Sequence, residues 1–153
     1  MTVPDVLTSK VFTEGLPPHI APFFLVDTIA FPGPTFFPVA EAFWEAVGII
    51  APTIRTFRQI NIIFGTSNFT INLPAGSITY LKNEEVINAC FNDMIFIDCG
   101  RLIAEDRRER VVCILEELVH IFYNVIDESV TAKIVSILFP KIKEESGKYC
   151  NDD

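Results

Sequence analysis

The chain has 153 residues, of which 50% are hydrophobic, and its formal net charge is −8 at pH 7 with a pI near 4.7. This length and apolar content predict one domain, residues 1–153, built around a single core. Because the basic residues are few and scattered among acidic ones, the charge argues against nucleic acid as a partner.

Three further features predict a cytoplasmic protein without a membrane partner. Residues 1–10 lack the basic and apolar regions of a secretory signal. The most apolar early run, 20–40, is interrupted by prolines and by Asp27, which is not typical of a membrane span. The four cysteines show neither Cys-x-x-Cys nor zinc-finger spacing, which favours reduced thiols.

The prolines separate the first part of the chain from the rest, since eight of the ten lie at or before Pro52. We therefore expect residues 1–38 to form an extended, turn-rich arm with one strand within 23–31. The many phenylalanines of this arm predict that it packs onto the core. From Val39 onwards, apolar residues recur at helical spacing until Pro52, which predicts the first helix.

Short segments typical of β-strands follow the first helix. The alternating or continuous apolar patterns that mark them cover 58–64, 68–73, 78–81, 86–91 and 94–98. Asn92 and Asp93 separate the last two segments, which predicts a hairpin. Together these segments predict a small sheet that is mixed or mostly antiparallel.

Two helices are predicted after the sheet, which gives an α+β fold. Residues 102–126 contain neither proline nor glycine and form the longest helical candidate. Asp127 and its neighbours stand where they would cap a final helix ending near Leu138. Residues 140–153 are expected to form a polar tail.

The long predicted helix carries the candidate site, because Glu116, Glu117 and His120 lie in an otherwise apolar stretch, 111–123. A buried carboxylate costs several kcal/mol unless it is protonated, paired or bound to a metal. Glu116 and His120 are four residues apart, so they project from one face of a helix and can ligate the same ion. Glu117 lies next to that face.

The sequence Glu-Glu-Leu-Val-His at 116–120 resembles the H-E-x-x-H motif of zincin metallopeptidases. Residues 39–139 also resemble a minimal zincin domain in the order of their predicted elements. This resemblance implies Glu116, His120 and Glu128 as metal ligands, with Asp127 as the alternative to Glu128. It implies Glu117 as the general base, and residues 94–98 as the edge strand that aligns a peptide.

Glu116 stands where the family has a histidine, and this difference leaves several functions open. Two carboxylates and one imidazole suit zinc, but also iron(II) or manganese(II). The chain is then a metal-dependent peptidase, or an inactive zincin-like module that binds a peptide or protein without metal. In a third interpretation the polar cluster only sets the packing of a structural protein. The sequence leaves the oligomeric state open.

Single residues of this set also have simpler interpretations. His120 is equally well explained as a hydrogen-bonded core histidine, and Glu128 as an acidic residue that stabilises a helix start. Cys113 is close enough in sequence to approach the site, but a small buried core residue is the favoured interpretation.

Overall fold

The computed structural model describes residues 7–29, 33–55, 58–66, 68–73, 76–81, 88–140, 142–145 and 148–151. The α-helices within these ranges are α1 (Ser9–Glu14), α2 (Phe37–Ile50), α3 (Cys99–Leu102), α4 (Arg107–Tyr123) and α5 (Glu128–Leu138). The strands are β1 (Phe24–Ile29), β2 (Ile60–Gly65), β3 (Phe69–Leu73), β4 (Gly76–Tyr80), β5 (Asn88–Phe91), β6 (Met94–Asp98), β7 (Ile142–Glu145) and β8 (Lys148–Asn151).

The main sheet has four strands in the order β1-β2-β6-β5, and the predicted α+β fold with a mixed sheet is confirmed. The pairs β1–β2 and β2–β6 are parallel, and only β5–β6 is antiparallel, so the preference for antiparallel pairing was wrong for this sheet. For the pair β1–β2, the reason is the connection between the two strands, which contains α2. A helical crossover returns the chain in the same direction, whereas a hairpin reverses it.

The strand order also corrects the expectation that Met94–Asp98 is an edge strand. This segment is β6, and it pairs with β2 on one side and with β5 on the other. Among the described residues, the strand at that edge of the sheet is β5. Its predicted range began at residue 86, but residues 86 and 87 lie outside the described part of the chain.

One side of the sheet faces the helical core. Alternate residues of β2 and β6, such as Ile62 and Ile95, are fully buried in one cluster with residues of α2 and α4. The other side carries Phe96, whose ring lies 5.7 Å from that of Phe69 and 6.0 Å from that of Tyr80. The antiparallel β3–β4 hairpin therefore covers this side.

The predicted N-terminal arm is more regular than expected. It contains α1, which the sequence analysis missed, and β1, which confirms the predicted strand; residues 1–6 and 30–32 lie outside the described part. Phe12 stacks on Phe64 with ring centroids 3.9 Å apart, so the arm packs onto the core as predicted. The Trp44 indole of α2 donates a hydrogen bond to the Phe12 carbonyl at 2.7 Å. Its ring lies so close to Gly15 that a Cβ there would fall 2.0 Å from it.

The predicted long helix begins later than expected because Asp106 caps it. The Asp106 carboxylate accepts hydrogen bonds from the amides of Arg108 and Glu109, which starts α4 at Arg107. The helix ends at Asn124, whose left-handed backbone (φ 54) turns the chain toward α5. The predicted polar tail contains the antiparallel pair β7–β8, with residues 141, 146–147 and 152–153 outside the described part.

Candidate functional site

A cavity of about 460 Å³ lies between β5, the C-terminal half of α4 and the start of α5. Three of the predicted site residues, Glu117, His120 and Glu128, line this cavity. Asn88 and Cys90 of β5 line the opposite wall. The structure therefore brings together residues that are separated by up to 40 positions in the sequence.

Helix geometry explains which residues of α4 reach the cavity. Glu117 and His120 are three residues apart and lie one above the other on one helix face. Ile121 and Asn124 continue the same face into the cavity wall. The turn at Asn124 then places Glu128, the first residue of α5, opposite His120.

The wall formed by β5 follows from strand pairing. Asn88 is paired with Ile97 and Cys90 with Ile95, and both partners are buried in the core beneath the helices. Side chains of paired residues point to the same side of a sheet. Asn88 and Cys90 therefore face α4, where Glu117 lies.

His120 is held by hydrogen bonds that determine the role of each ring nitrogen. Its Nδ1 lies 2.7 Å from the Val125 carbonyl oxygen, which can only accept, so Nδ1 donates. Its Nε2 lies 3.4 Å from a Glu128 carboxylate oxygen. This contact is attractive when a positive charge, either a proton on Nε2 or a cationic group, lies between the two residues.

Glu117 is the most strongly perturbed acid of the site. Burial raises the pKa of Glu117 to about 7, against the opposing effects of the Cys90 thiol, which donates a hydrogen bond to it, and of His120. Burial and the adjacent Glu117 carboxylate raise the pKa of Cys90 to about 12. The thiol therefore remains protonated at neutral pH and serves as a donor, not as a nucleophile.

The remaining predicted residues lie elsewhere. Glu116 is half-buried but is not among the described residues that line the cavity. Asp127 caps α5 by accepting a hydrogen bond from the Val130 amide at 3.0 Å, and this bond lowers the pKa of Asp127. Cys113 packs against the core, as favoured from the sequence. Of the two alternatives for the third ligand, only Glu128 lines the cavity.

These positions decide how well the site fits the metal implied by the zincin resemblance. His120 and Glu128 meet, but Glu116 does not join them at the cavity. In the described part of the chain, no three histidine, cysteine, aspartate or glutamate side chains are grouped so that they could hold a metal ion. The predicted set of three ligands therefore does not fit this arrangement of side chains.

Asn88 is a cavity residue that the sequence analysis missed. It is only 7% exposed, and neither its Oδ1 nor its Nδ2 has a hydrogen-bond partner. A buried amide without partners costs about 1–3 kcal/mol, so such groups are uncommon away from functional sites. The signal in the sequence was an asparagine two residues before Cys90 in a short strand, which is an unfavourable place for an asparagine.

Comparisons of this chain with protein-family models, with curated proteins and with solved structures find no match. The zincin resemblance thus depends on the motif residues and on the order of the elements. No helix in the described ranges is both long enough and apolar enough to cross a membrane.

Proposed function

We propose that this protein is a zincin-like module that binds an extended peptide segment along β5 without a metal. The observation that carries the proposal is the position of the cavity beside β5, whose outer edge pairs with no other strand in the described part of the chain. Edge strands bind peptides by adding them as a further strand, and adjacent pockets select their side chains.

The hairpin geometry supports this mode of binding. β5 and β6 are joined by the two-residue turn Asn92–Asp93, and the pair Phe91–Met94 closes it. Because hydrogen-bonded and non-hydrogen-bonded pairs alternate from this closing pair, the amide and carbonyl groups of Asn88 and Cys90 face the outer edge. They are the backbone groups that an added strand would bind.

Strand addition makes a specific prediction for peptide binding. The probe is a panel of fluorescein-labelled, acetylated peptides that alternate alanine and threonine and differ only in the central residue: lysine, arginine, norleucine, glutamine or glutamate. Binding is measured by fluorescence anisotropy. The best binder is then N-methylated on one alternate set of amides or on the other.

We expect methylation of one set to weaken binding by about tenfold or more, because it removes hydrogen bonds to β5. Methylation of the other set, whose amides point away from β5, should have little effect. Equal effects of both sets, or no binding by any peptide, would contradict the proposed function.

A metal-dependent peptidase is the second candidate, and the contact between His120 Nε2 and Glu128 favours it. The test is metal analysis of the purified protein and of the variant Glu116→His, which places a histidine where the zincin motif has one. Stoichiometric zinc, iron or manganese that is lost in Glu128→Ala would support this candidate. If neither the wild-type protein nor Glu116→His takes up a divalent ion, the metal-dependent peptidase is excluded as a function.

A further inference from the structure

We propose that the cavity is a selectivity pocket for a basic side chain, lysine or arginine, of the bound peptide. This inference rests on the proposed function, since it assigns the residue type that the peptide presents opposite Glu117, Glu128 and Asn88.

Two acidic residues, Glu117 and Glu128, line the cavity beside a single arginine among the described lining residues. Arg58 is the cation among the described lining residues, but its Nε lies 3.1 Å from Asp93, and its guanidinium also donates to the Ile121 carbonyl. These contacts balance its charge and fix its position at the rim. The carboxylates of Glu117 and Glu128 remain to attract a ligand, on a chain that is itself acidic.

The contact between His120 and Glu128 also favours a cation. With Nδ1 donating to the Val125 carbonyl, a neutral imidazole presents the Nε2 lone pair toward the Glu128 carboxylate. An ammonium or guanidinium group donates hydrogen bonds to both acceptors at once. The ligand then supplies a positive charge between the two residues.

Asn88 provides independent support, because its unpartnered amide lies on the wall that faces Glu117. Its Oδ1 is a further acceptor for an N–H group of the ligand, and its Nδ2 can donate to an oxygen of the same peptide. A basic side chain would thus give a buried, unsatisfied amide the partner that its environment does not supply.

The same peptide panel tests the inference on the wild-type chain. We expect the lysine and arginine peptides to bind about tenfold or more tightly than the norleucine peptide, and the glutamate peptide to bind most weakly.

Variants locate the selectivity. Glu117→Gln and Glu128→Gln should each reduce the ratio of lysine to norleucine affinity, and Asn88→Ala should reduce it without adding or removing a charge. The matched control is Glu41→Gln, which removes an exposed glutamate of α2 outside the cavity lining and should leave the ratio unchanged.

Two results would overturn the inference. If the norleucine or glutamate peptide binds as tightly as the lysine peptide, a pocket selective for basic side chains is excluded. Strand addition would still hold in that case if N-methylation of one set of amides weakened binding. If Glu41→Gln lowers the lysine preference as much as the cavity variants do, the preference comes from the overall charge of the chain and not from the cavity. Absence of binding by every peptide would instead exclude the proposed function itself.

Discussion

Replacing Glu117 by glutamine should make the stability of this protein less dependent on pH. Glutamine keeps the shape of the protonated carboxyl, and its amide oxygen can still accept the hydrogen bond from the Cys90 thiol. It cannot ionise. The substitution therefore removes the titration of the buried group and leaves most of its packing in place.

The expected magnitude follows from the pKa of Glu117, which burial raises from its ordinary value of 4.5 to about 7. Between these two pH values the folded state keeps a proton that the unfolded state has lost, so the free energy of unfolding falls as the pH rises. Each pKa unit corresponds to about 1.4 kcal/mol, which gives about 3 kcal/mol for this group. That stability is present in full below pH 4.5 and is lost once the pH has passed about 7.

Urea denaturation of both proteins between pH 4.5 and pH 8.5 measures this effect. The free energy of unfolding of Glu117→Gln minus that of the wild type should increase by about 3 kcal/mol across the range, with the variant more stable at the alkaline end. Glu41→Gln controls for the loss of one negative charge from an acidic chain. If the difference in unfolding free energy between Glu117→Gln and the wild type stays constant with pH, or decreases as the pH rises, then burial does not raise the pKa of Glu117 as reasoned above.

Substitutions at Gly15, Asp106 and Glu117 test the packing, the helix cap and the role of the polar cluster. Gly15→Ala should destabilise the fold by about 3 kcal/mol in thermal or urea unfolding, because the added Cβ collides with the Trp44 ring. The control is Gly48→Ala, on the exposed side of α2 with open space around it, which should stabilise the fold by up to about 1 kcal/mol. Equal effects of the two substitutions would argue against the collision. Asp106→Ala should cost about 1 kcal/mol by removing the cap of α4, while Asp106→Asn should keep most of the stability, and an equal loss in both variants would exclude capping as the reason. Glu117→Leu should abolish the lysine preference in peptide binding; a folded variant that keeps it would favour the purely structural role of the polar cluster.

The local elements of the fold were predictable because their signals lie within short stretches of sequence. Pro52 limits α2, Asp127 caps α5, and Asn92 with Asp93 forms the hairpin turn between β5 and β6. Each of these effects acts over a few residues. Pairing between distant strands has no such signal, which is why the parallel pairs of β2 and the internal position of β6 were not predicted.

The candidate site could be predicted in part for the same reason. The spacing of Glu117 and His120 places them on one helix face whatever the rest of the fold does, and the cap at Asp127 brings Glu128 to the start of α5. Successive residues of a helix are rotated by about 100°, so the face that carries Glu117 is not the face that carries Glu116. Whether Glu116 or Glu117 points into the cavity depends on how α4 packs onto the sheet, and motif spacing does not contain that information. The burial of Asn88 likewise depends on the packing of β5 against α4, which is distant from it in the sequence.

Burial of Cys90 beside the Glu117 carboxylate also determines how the cavity wall reacts with electrophiles, because both raise the pKa of the thiol. Thiolates react with peroxides and alkylating reagents, whereas protonated thiols hardly do. With a pKa of about 12 for Cys90, only about one thiol in 10⁵ is ionised at pH 7. The cavity wall is thus chemically inert at this position despite its sulfur atom, and oxidative stress should leave Cys90 unmodified.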